Sequence, residues 1–227
     1  MSATQIHTGL IEGLAAGQLN APLRLLARTY VETNAGAAAA LDDLDTAGGA
    51  FLMSETPARM ADNSLETALA LIDALESGSG EAAGLKPANR QAAVSGAHKA
   101  LNELAWLPEH LRDQVLEHGA RWKFAAPGVR RINLLAEDGA KAELLRIEPG
   151  HGSPSHTHEG REFTLVLTGA FHDGHARYEA GDLCETGPDL THKPIAELGE
   201  ICYALAVTEG ALKFKGPLGA VQRLFGG

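Results

Sequence analysis

Three histidines and one glutamate have the residue types and the spacing of a divalent-metal site. His156 and His158 are two positions apart, so on an extended strand both side chains point to one face. Glu162 follows four residues later and can return to that face after a short loop around Gly160. Two imidazoles and a carboxylate on one wall of a barrel form half of a metal site. His192, which lies further along the chain, is the candidate fourth ligand.

The other histidines of this region are interpreted as solvated loop residues. The chain contains ten histidines, and half of them fall between His151 and His175. A single histidine is usually a surface residue, and this interpretation applies to His151, His172 and His175. It does not apply to the set of four candidate ligands, because both their spacing and the glycines that flank them indicate a metal site.

The four candidate ligands suit more than one metal. Four-coordinate zinc bound by all of them would have no open coordination position. Iron, manganese or nickel in the same set would keep open positions, as oxygenase or isomerase chemistry requires. We expect zinc, and a metalloenzyme is the alternative.

The number of cysteines excludes one class of zinc or redox site. The chain has only two cysteines, Cys184 and Cys202, so it has no Cys-x-x-Cys zinc or redox motif. Both lie in strand-like segments, where a buried free cysteine is the usual finding. A thiol near the metal that becomes oxidised is the alternative role.

The charge balance argues against two classes of partner. The 227 residues include 19 Lys and Arg against 29 Asp and Glu, a formal net charge of -10. An acidic chain has no bulk attraction for nucleic acid or an anionic membrane. The local basic patch at Arg121–Phe124, Arg130 and Arg131 is predicted to be a solvated strand edge.

The sequence also lacks the features of a membrane or exported protein. No apolar run approaches the roughly 18 residues of a membrane helix. The N-terminus does not have the basic segment, apolar core and cleavage site of a signal peptide. We therefore expect a cytoplasmic protein with no direct nucleic-acid or membrane partner.

The second half of the chain has short strand-like segments between glycine and proline turns. The clearest are Glu143–Ile147, Phe163–Leu167 and Ile201–Val207. Many short strands separated by such turns predict an antiparallel β jelly-roll barrel. We assign this barrel to residues 106–227, with a short helix from Pro108 to Glu117 near its beginning.

Residues 1–76 are predicted to form a helical domain. Apolar residues at helical spacing mark two segments, Leu10–Leu19 and Leu23–Val31. Asn20 is a candidate N-cap of the second segment, with Pro22 at an early helix position.

Further helices follow before a change in composition. An alanine-rich helix is expected over Ala35–Leu44, ended by Gly48 and Gly49, and another begins at Ser64. Residues 77–105 are predicted to be a linker with a possible short helix, because they begin with small residues and contain glycine and proline. The fold class is thus α+β, with a helical domain joined by a linker to a barrel.

One segment matches the first sequence motif of the cupins. Gly150, His156, His158, Glu162 and Gly169 fit the pattern G-x5-H-x-H-x3-E-x6-G at every position. This part of the chain therefore resembles a cupin, and the resemblance implies a metal-binding jelly-roll barrel.

The second cupin motif is only partly present. Gly181 and His192 keep the expected spacing. Gly187 and Asp189 stand where the pattern has proline and glycine, and Ala196 replaces its asparagine. The metal ligand is thus retained although the turn residues differ.

The whole chain resembles the ChrR family of anti-sigma factors, which join a helical sigma-binding domain to a C-terminal cupin. The segments that carry the resemblance are Gly9–Gly17, Gly48–Thr56, Thr164–Phe171 and Tyr178–Asp182. The resemblance implies a role in transcription regulation, with an extracytoplasmic-function-type sigma factor as the partner. It also implies an oxidative signal at the cupin.

The N-terminal segment departs from the zinc-binding members of that family. Those members carry an early histidine and then H-x3-C-x2-C, and the equivalent positions here are Tyr30, Asn34 and Ala37. None of these side chains is a credible zinc ligand, and His7 alone would not hold zinc. We therefore expect no zinc in the N-terminal domain, and its helices should be held by apolar packing.

Two functions fit these features. In the first, the helical domain binds and occludes a sigma factor, and a change at the metal-binding cupin releases it. In the second, the chain is a cupin metalloenzyme, and its helical domain serves oligomerisation or docking, for example in a homodimer.

Overall fold

A computed structural model describes residues 6–77, 103–210 and 212–214. Five α-helices lie within these ranges, four of them before the gap. They are α1 (Thr8–Ala15), α2 (Ala21–Thr33), α3 (Ala35–Ser54), α4 (Ser64–Ser77) and α5 (Glu109–Glu117). The short helix expected near the start of the barrel region is therefore confirmed as α5. Most of the predicted linker lies outside the described residues.

The rest of the described chain is antiparallel β-structure. The first strands are β1 (Lys123–Ala126), β2 (Val129–Glu137), β3 (Ala140–Ile147), β4 (His156–His158), β5 (Glu162–Thr168) and β6 (Ala170–His172). The later ones are β7 (Arg177–Glu179), β8 (Leu183–Thr186), β9 (Ile195–Ala196), β10 (Cys202–Glu209) and β11 (Leu212–Phe214). A six-stranded sheet has the order β1-β2-β3-β10-β5-β8, and smaller sheets pair β11 with β4 and form β7-β6-β9. The three predicted strands are confirmed as β3, β5 and β10.

Two asparagines set the boundaries of the N-terminal helices. The side chain of Asn20 accepts a hydrogen bond from the backbone N–H of Leu23, so Asn20 is the N-cap of α2, as expected. Asn34 ends α2 in an extended conformation and then caps α3 by accepting from the N–H of Ala37. A single residue between the two helices thus turns the chain.

The prediction that Gly48 and Gly49 end the alanine-rich helix was wrong. Helix α3 continues through both glycines to Ser54, and Glu55 follows in an extended conformation. Both glycines are exposed, and no other group lies within 4 Å of where their side chains would begin. Glycine weakens a helix by only about 1 kcal/mol relative to alanine, so the good helix formers on either side are sufficient to continue it.

Side chains point alternately to the two faces of the six-stranded sheet, and both faces are buried. On β5, Phe163, Leu165 and Leu167 belong to the same buried cluster as residues of α1 and α2, such as Ile11 and Leu26. The intervening side chains of the strand point into the barrel. Helix α2 lies across β2, β3, β5 and β10. The first two helices therefore share one hydrophobic core with the barrel.

Helix α4 and the end of α3 have a different environment. Phe51, Leu52 and Met53 are 76%, 74% and 87% exposed, and apolar residues of α4 such as Leu65 and Leu71 are also largely exposed. Within the described ranges these side chains are not part of either hydrophobic core cluster. The helical segment thus divides into a buried half and an exposed half.

The shared core predicts that truncation of Leu26 destabilises the whole molecule. Leu26 is fully buried in α2, at the cluster that joins helix and sheet. Leu26→Ala should lower the free energy of unfolding by about 2–5 kcal/mol, measured by urea unfolding with both helical and tertiary signals. Arg28→Ala, at an exposed position of the same helix, should change it by about 0.5 kcal/mol or less. Loss of the helical signal while the barrel stays folded would contradict a single core.

Candidate metal centre

Backbone pairing brings the four candidate ligands together. His156 and His158 occupy the two ends of β4 and are both buried, as the two-residue spacing predicts. His192 lies beside them because its backbone N–H and C=O exchange two hydrogen bonds with His156, each 3.1 Å long. Glu162 is the first residue of β5. Three separate parts of the chain thus supply one site inside the barrel.

The potential ligand atoms converge on one point. The Nε2 atom of His192 lies 3.0 Å from Nε2 of His156 and 3.0 Å from Nε2 of His158. The carboxylate oxygens of Glu162 lie 3.5 Å from Nε2 of His158 and 3.7 Å from Nε2 of His192. Two nitrogens that each bind one zinc ion at about 2.0–2.1 Å are about 3.0–3.4 Å apart. The four residues therefore fit a divalent cation, with all ligand atoms within 4.8 Å of one another.

The other ring nitrogens help to orient the imidazoles. Nδ1 of His156 donates to the carbonyl oxygen of Pro154 at 2.7 Å. Because a carbonyl can only accept, this contact places the proton on Nδ1 and leaves the Nε2 lone pair free for a metal. Nδ1 of His192 lies 3.4 Å from the hydroxyl of Thr186, and Nδ1 of His158 is buried without a hydrogen-bond partner.

Burial shifts the pKa values of the site in the direction that suits a metal ion. Desolvation, followed by repulsion from neighbouring imidazoles, lowers the pKa of His158 and of His192 to about 4. Desolvation also lowers the pKa of His156. These histidines are therefore neutral at pH 7 and can offer lone pairs. Burial raises the pKa of Glu162 to about 7, because desolvation of its charged form outweighs the attraction of Lys141.

The histidines predicted to be solvated are exposed. His151 and His175 lie outside the strands, and His172 ends β6, so the description of His172 as a loop residue was wrong. Nδ1 of His151 donates to the carbonyl of Pro149, and Nε2 of His175 lies 3.4 Å from the carbonyl of Thr191. Among the described residues, none of the three belongs to the cluster that could hold a metal.

Both cysteines are buried free thiols. Burial raises the pKa of Cys184 to about 11 and that of Cys202 to about 12. The sulfur of Cys184 lies 3.6 Å from the hydroxyl of Thr186, which in turn contacts the ring of His192. Cys184 is therefore near the site but protonated, and a protonated buried thiol is a poor nucleophile for oxidants.

Sequence reasoning missed a cavity that adjoins the site. It has a volume of about 470 Å³, and His156 and Glu162 form part of its wall. Arg131 also lines it and forms an ion pair with Glu143 at 3.1 Å. Of the two arginines predicted to lie at a solvated strand edge, Arg130 is exposed, whereas Arg131 is partly exposed with its side chain on the cavity wall. The sequence signal for this difference was the alternation of side-chain direction along β2, because adjacent arginines on a strand face opposite sides.

The positions that correspond to N-terminal zinc ligands make contacts of other kinds. Tyr30 and Ala37 are buried in the shared core. Asn34 caps α3, and its amide also donates to the carbonyl oxygen of Gly181 at 3.0 Å. Nε2 of His7 donates to the carbonyl of Leu183 at 2.8 Å. The absence of zinc from this segment stays a prediction, and these contacts attach the segment to the barrel.

Comparison with known proteins agrees with this architecture along nearly the whole chain. Residues 112–212 match the ChrR Cupin-like domain family. The anti-sigma-E factor ChrR of Cereibacter sphaeroides is 31% identical over 209 residues, which span 92% of this chain and 91% of that protein. The chain belongs to the ChrR family of anti-sigma factors. The 209 matched residues are more than the cupin contains, so the similarity extends into the helical segment.

A solved structure shows the same relationship in three dimensions. The crystal structure of Rhodobacter sphaeroides SigE in complex with the anti-sigma ChrR contains a chain that superposes with a TM-score of 0.69 at 30% identity. The match covers 92% of the present chain and 100% of the other one. The cupin fold expected from the sequence motifs is thus confirmed. In the described part of the chain, no helix combines the length and the apolarity needed to span a membrane.

The raised pKa of Glu162 predicts a pH-dependent stability difference in metal-free protein. Above pH 7 the folded state carries a buried carboxylate charge, and the neutral variant Glu162→Gln should then be the more stable protein. The folded pKa is about 7 and the reference value is 4.5, so folding favours proton uptake between them. The advantage of Glu162→Gln should therefore shrink as the pH falls from 8 to 5. Urea unfolding in EDTA measures it, and an equal difference at both pH values would contradict the buried charge.

Proposed function

We propose that this chain is a cytoplasmic anti-sigma factor whose helical segment binds an extracytoplasmic-function-type sigma factor and whose metal-binding cupin controls that binding. The observation that carries the proposal is family membership, which rests on similarity over 92% of the chain and so extends beyond the cupin. The solved relative is a complex of SigE with ChrR. The exposed apolar residues of α3 and α4 supply the second support.

Together with Met60, which lies between the two helices, these residues define the α3–α4 apolar surface. Its members are Phe51, Leu52, Met53, Met60, Leu65, Leu69, Leu71 and Ile72, each at least 51% exposed. Large apolar side chains in such number are unusual on a surface that stays in water and indicate a protein partner. Residues 35–76 also contain eight acidic residues, one arginine and no lysine. A sigma factor, as a nucleic-acid-binding protein, has basic surfaces that complement this charge.

Strand β8 contacts both the proposed metal centre and the residue that precedes helix α1. Thr186, at its end, contacts Nδ1 of His192. On the outward side of the same strand, His7 contacts the carbonyl of Leu183 and the carboxylate of Glu185 at 2.8 and 3.1 Å. A change at the metal centre that moves β8 would therefore move the start of α1, and with it the helices that present the apolar surface.

In the proposed metal centre, His156, His158, Glu162 and His192 are the ligands and zinc is the metal. A bound divalent cation would neutralise the buried carboxylate and link three parts of the chain, which stabilises the barrel. The convergence of three neutral imidazoles and one carboxylate supports this assignment. The chain's own residues hold the ring orientations through Pro154 and Thr186.

The proposed ligand set predicts a stoichiometric loss of metal. Full-length wild-type protein should retain about one divalent ion per chain after dialysis, measured by inductively coupled plasma mass spectrometry. His158→Ala should lose it, as should the double variant His156→Ala with His158→Ala, because three ligands hold the ion more weakly than four. His175→Ala, an exposed histidine near the site in sequence, is the matched control and should keep it. Unchanged metal content in the double variant would overturn the ligand assignment.

The α3–α4 apolar surface predicts which substitutions weaken sigma binding. Met53→Glu and Leu69→Glu should each reduce co-purification of the co-expressed sigma factor of the same genome by about tenfold or more, because a charge replaces an apolar contact. Met53 is 87% exposed in the free chain, so folding should be unaffected. Leu198→Glu, on an exposed apolar residue of the cupin, is the control and should bind normally. Equal binding by all variants would exclude this surface.

A metalloenzyme remains the second candidate, because the cavity beside the ligands could admit a substrate. Oxygenase or isomerase chemistry needs a metal with an open coordination position. Protein expressed without added metal distinguishes the two functions: bound zinc without turnover favours the regulator, and bound iron with turnover favours the enzyme.

A further inference from the structure

The cavity beside the metal centre has two chemically different ends. At one end lie the candidate ligands His156 and Glu162, together with Arg131 and the hydroxyls of Thr164 and Thr208. The other end is apolar. Its walls are formed by Phe124, Ala126, Val129, Leu145, Ile147, Phe171 and Pro194. A volume of about 470 Å³ falls in the range of sites that enclose small organic molecules.

The polar end has an incompletely paired cation. Arg131 reaches Glu143 through one terminal nitrogen at 3.1 Å, while its Nε is buried and has no hydrogen-bond partner. Lys141 also contacts Glu143, at 3.5 Å, so one carboxylate serves two cations. A buried donor without a partner is costly. The Arg131 side chain lines the cavity and is 36% exposed, so its guanidinium can also donate to a ligand oxygen there.

The charges around the cavity specify the sign of that ligand. Arg131 and Lys141 together balance Glu143 and Glu162. The divalent ion proposed above adds two positive charges, and histidine binds a metal ion only as the neutral imidazole. The loaded site therefore has an excess of positive charge, which favours an anion at this end.

We propose that the cavity binds a small apolar carboxylic acid in its carboxylate form. The carboxylate lies at the polar end, where Arg131 donates to it, and the hydrocarbon part lies along Leu145, Ile147 and Phe171. A planar guanidinium suits a carboxylate because both groups can form parallel hydrogen bonds. Phe124, which is 71% exposed on the edge strand β1, stands where the apolar end meets solvent. This inference rests on the proposed metal centre and identifies a ligand for it.

Octanoate is a suitable probe, and 1-octanol is its uncharged counterpart. Octanoate should raise the melting temperature of metal-loaded full-length protein in a concentration-dependent way, and 1-octanol should do so much less. Arg131→Gln should weaken octanoate binding by about tenfold or more, the size expected for a hydrogen bond to a charged group. Isothermal titration calorimetry gives the dissociation constants.

Two further variants distinguish octanoate binding in the cavity from non-specific binding. Arg130→Gln removes the neighbouring arginine, which is exposed and does not line this cavity, and should bind octanoate like the wild type. Ala206→Phe fills the cavity from β10 and should abolish binding. Circular dichroism checks that each variant is folded.

Three results would overturn the proposal: no octanoate binding, equal octanoate binding by wild type and Arg131→Gln, or binding of 1-octanol as tight as that of octanoate. The last result would identify a site for neutral apolar molecules. Metal content is measured in the same samples. Missing metal would contradict the proposed metal centre, whereas full metal content without octanoate binding would contradict only the carboxylate ligand.

Discussion

The burial of the six-stranded sheet on both faces is the constraint on which the rest of the structure depends. Outward side chains such as Leu165 and Leu205 pack with the first two helices in one core. Inward side chains of the same strands include Glu162 of the candidate metal centre and Ala206 of the cavity wall. Because successive residues on a strand face opposite sides, neither set can move without the other. This arrangement links a candidate sensor site to the helical segment without a separate connecting element.

The N-terminal segment shows how a family feature can be replaced. Zinc-binding relatives are expected to use histidine and cysteine at positions that Tyr30, Asn34 and Ala37 occupy here. In this chain the first and last of these are buried, and Asn34 joins the start of α3 to the carbonyl of Gly181. Gly181 has a left-handed φ of 88°, and a side chain there would approach the carbonyl oxygen of Thr33 to 2.9 Å. Close approach of α2 to the barrel thus requires this glycine, which the second cupin motif retains.

Much of the fold and the candidate site could be predicted because the signals are local. The two-residue spacing of His156 and His158 and the Asn20 cap depend on neighbours in sequence. The end of α3 was misplaced because propensity treats Gly48 and Gly49 as helix breakers, while the exposed backbone of the helix tolerates them. The roles of Arg131 and of the cavity depend on strands that are distant in sequence, so composition could only describe Arg131 as part of a basic patch.

The sequence by itself determined the residue types of the candidate metal centre, the positions of most helices and strands, and the family. Each of these depends on short-range spacing or on similarity spread along the chain. Only the tertiary structure decided that α1 and α2 share a core with the barrel, that the end of α3 and α4 remain exposed, and which of two adjacent arginines faces inward. These features are set by which strand or helix lies opposite a given side chain, and contacts between residues far apart in sequence determine that.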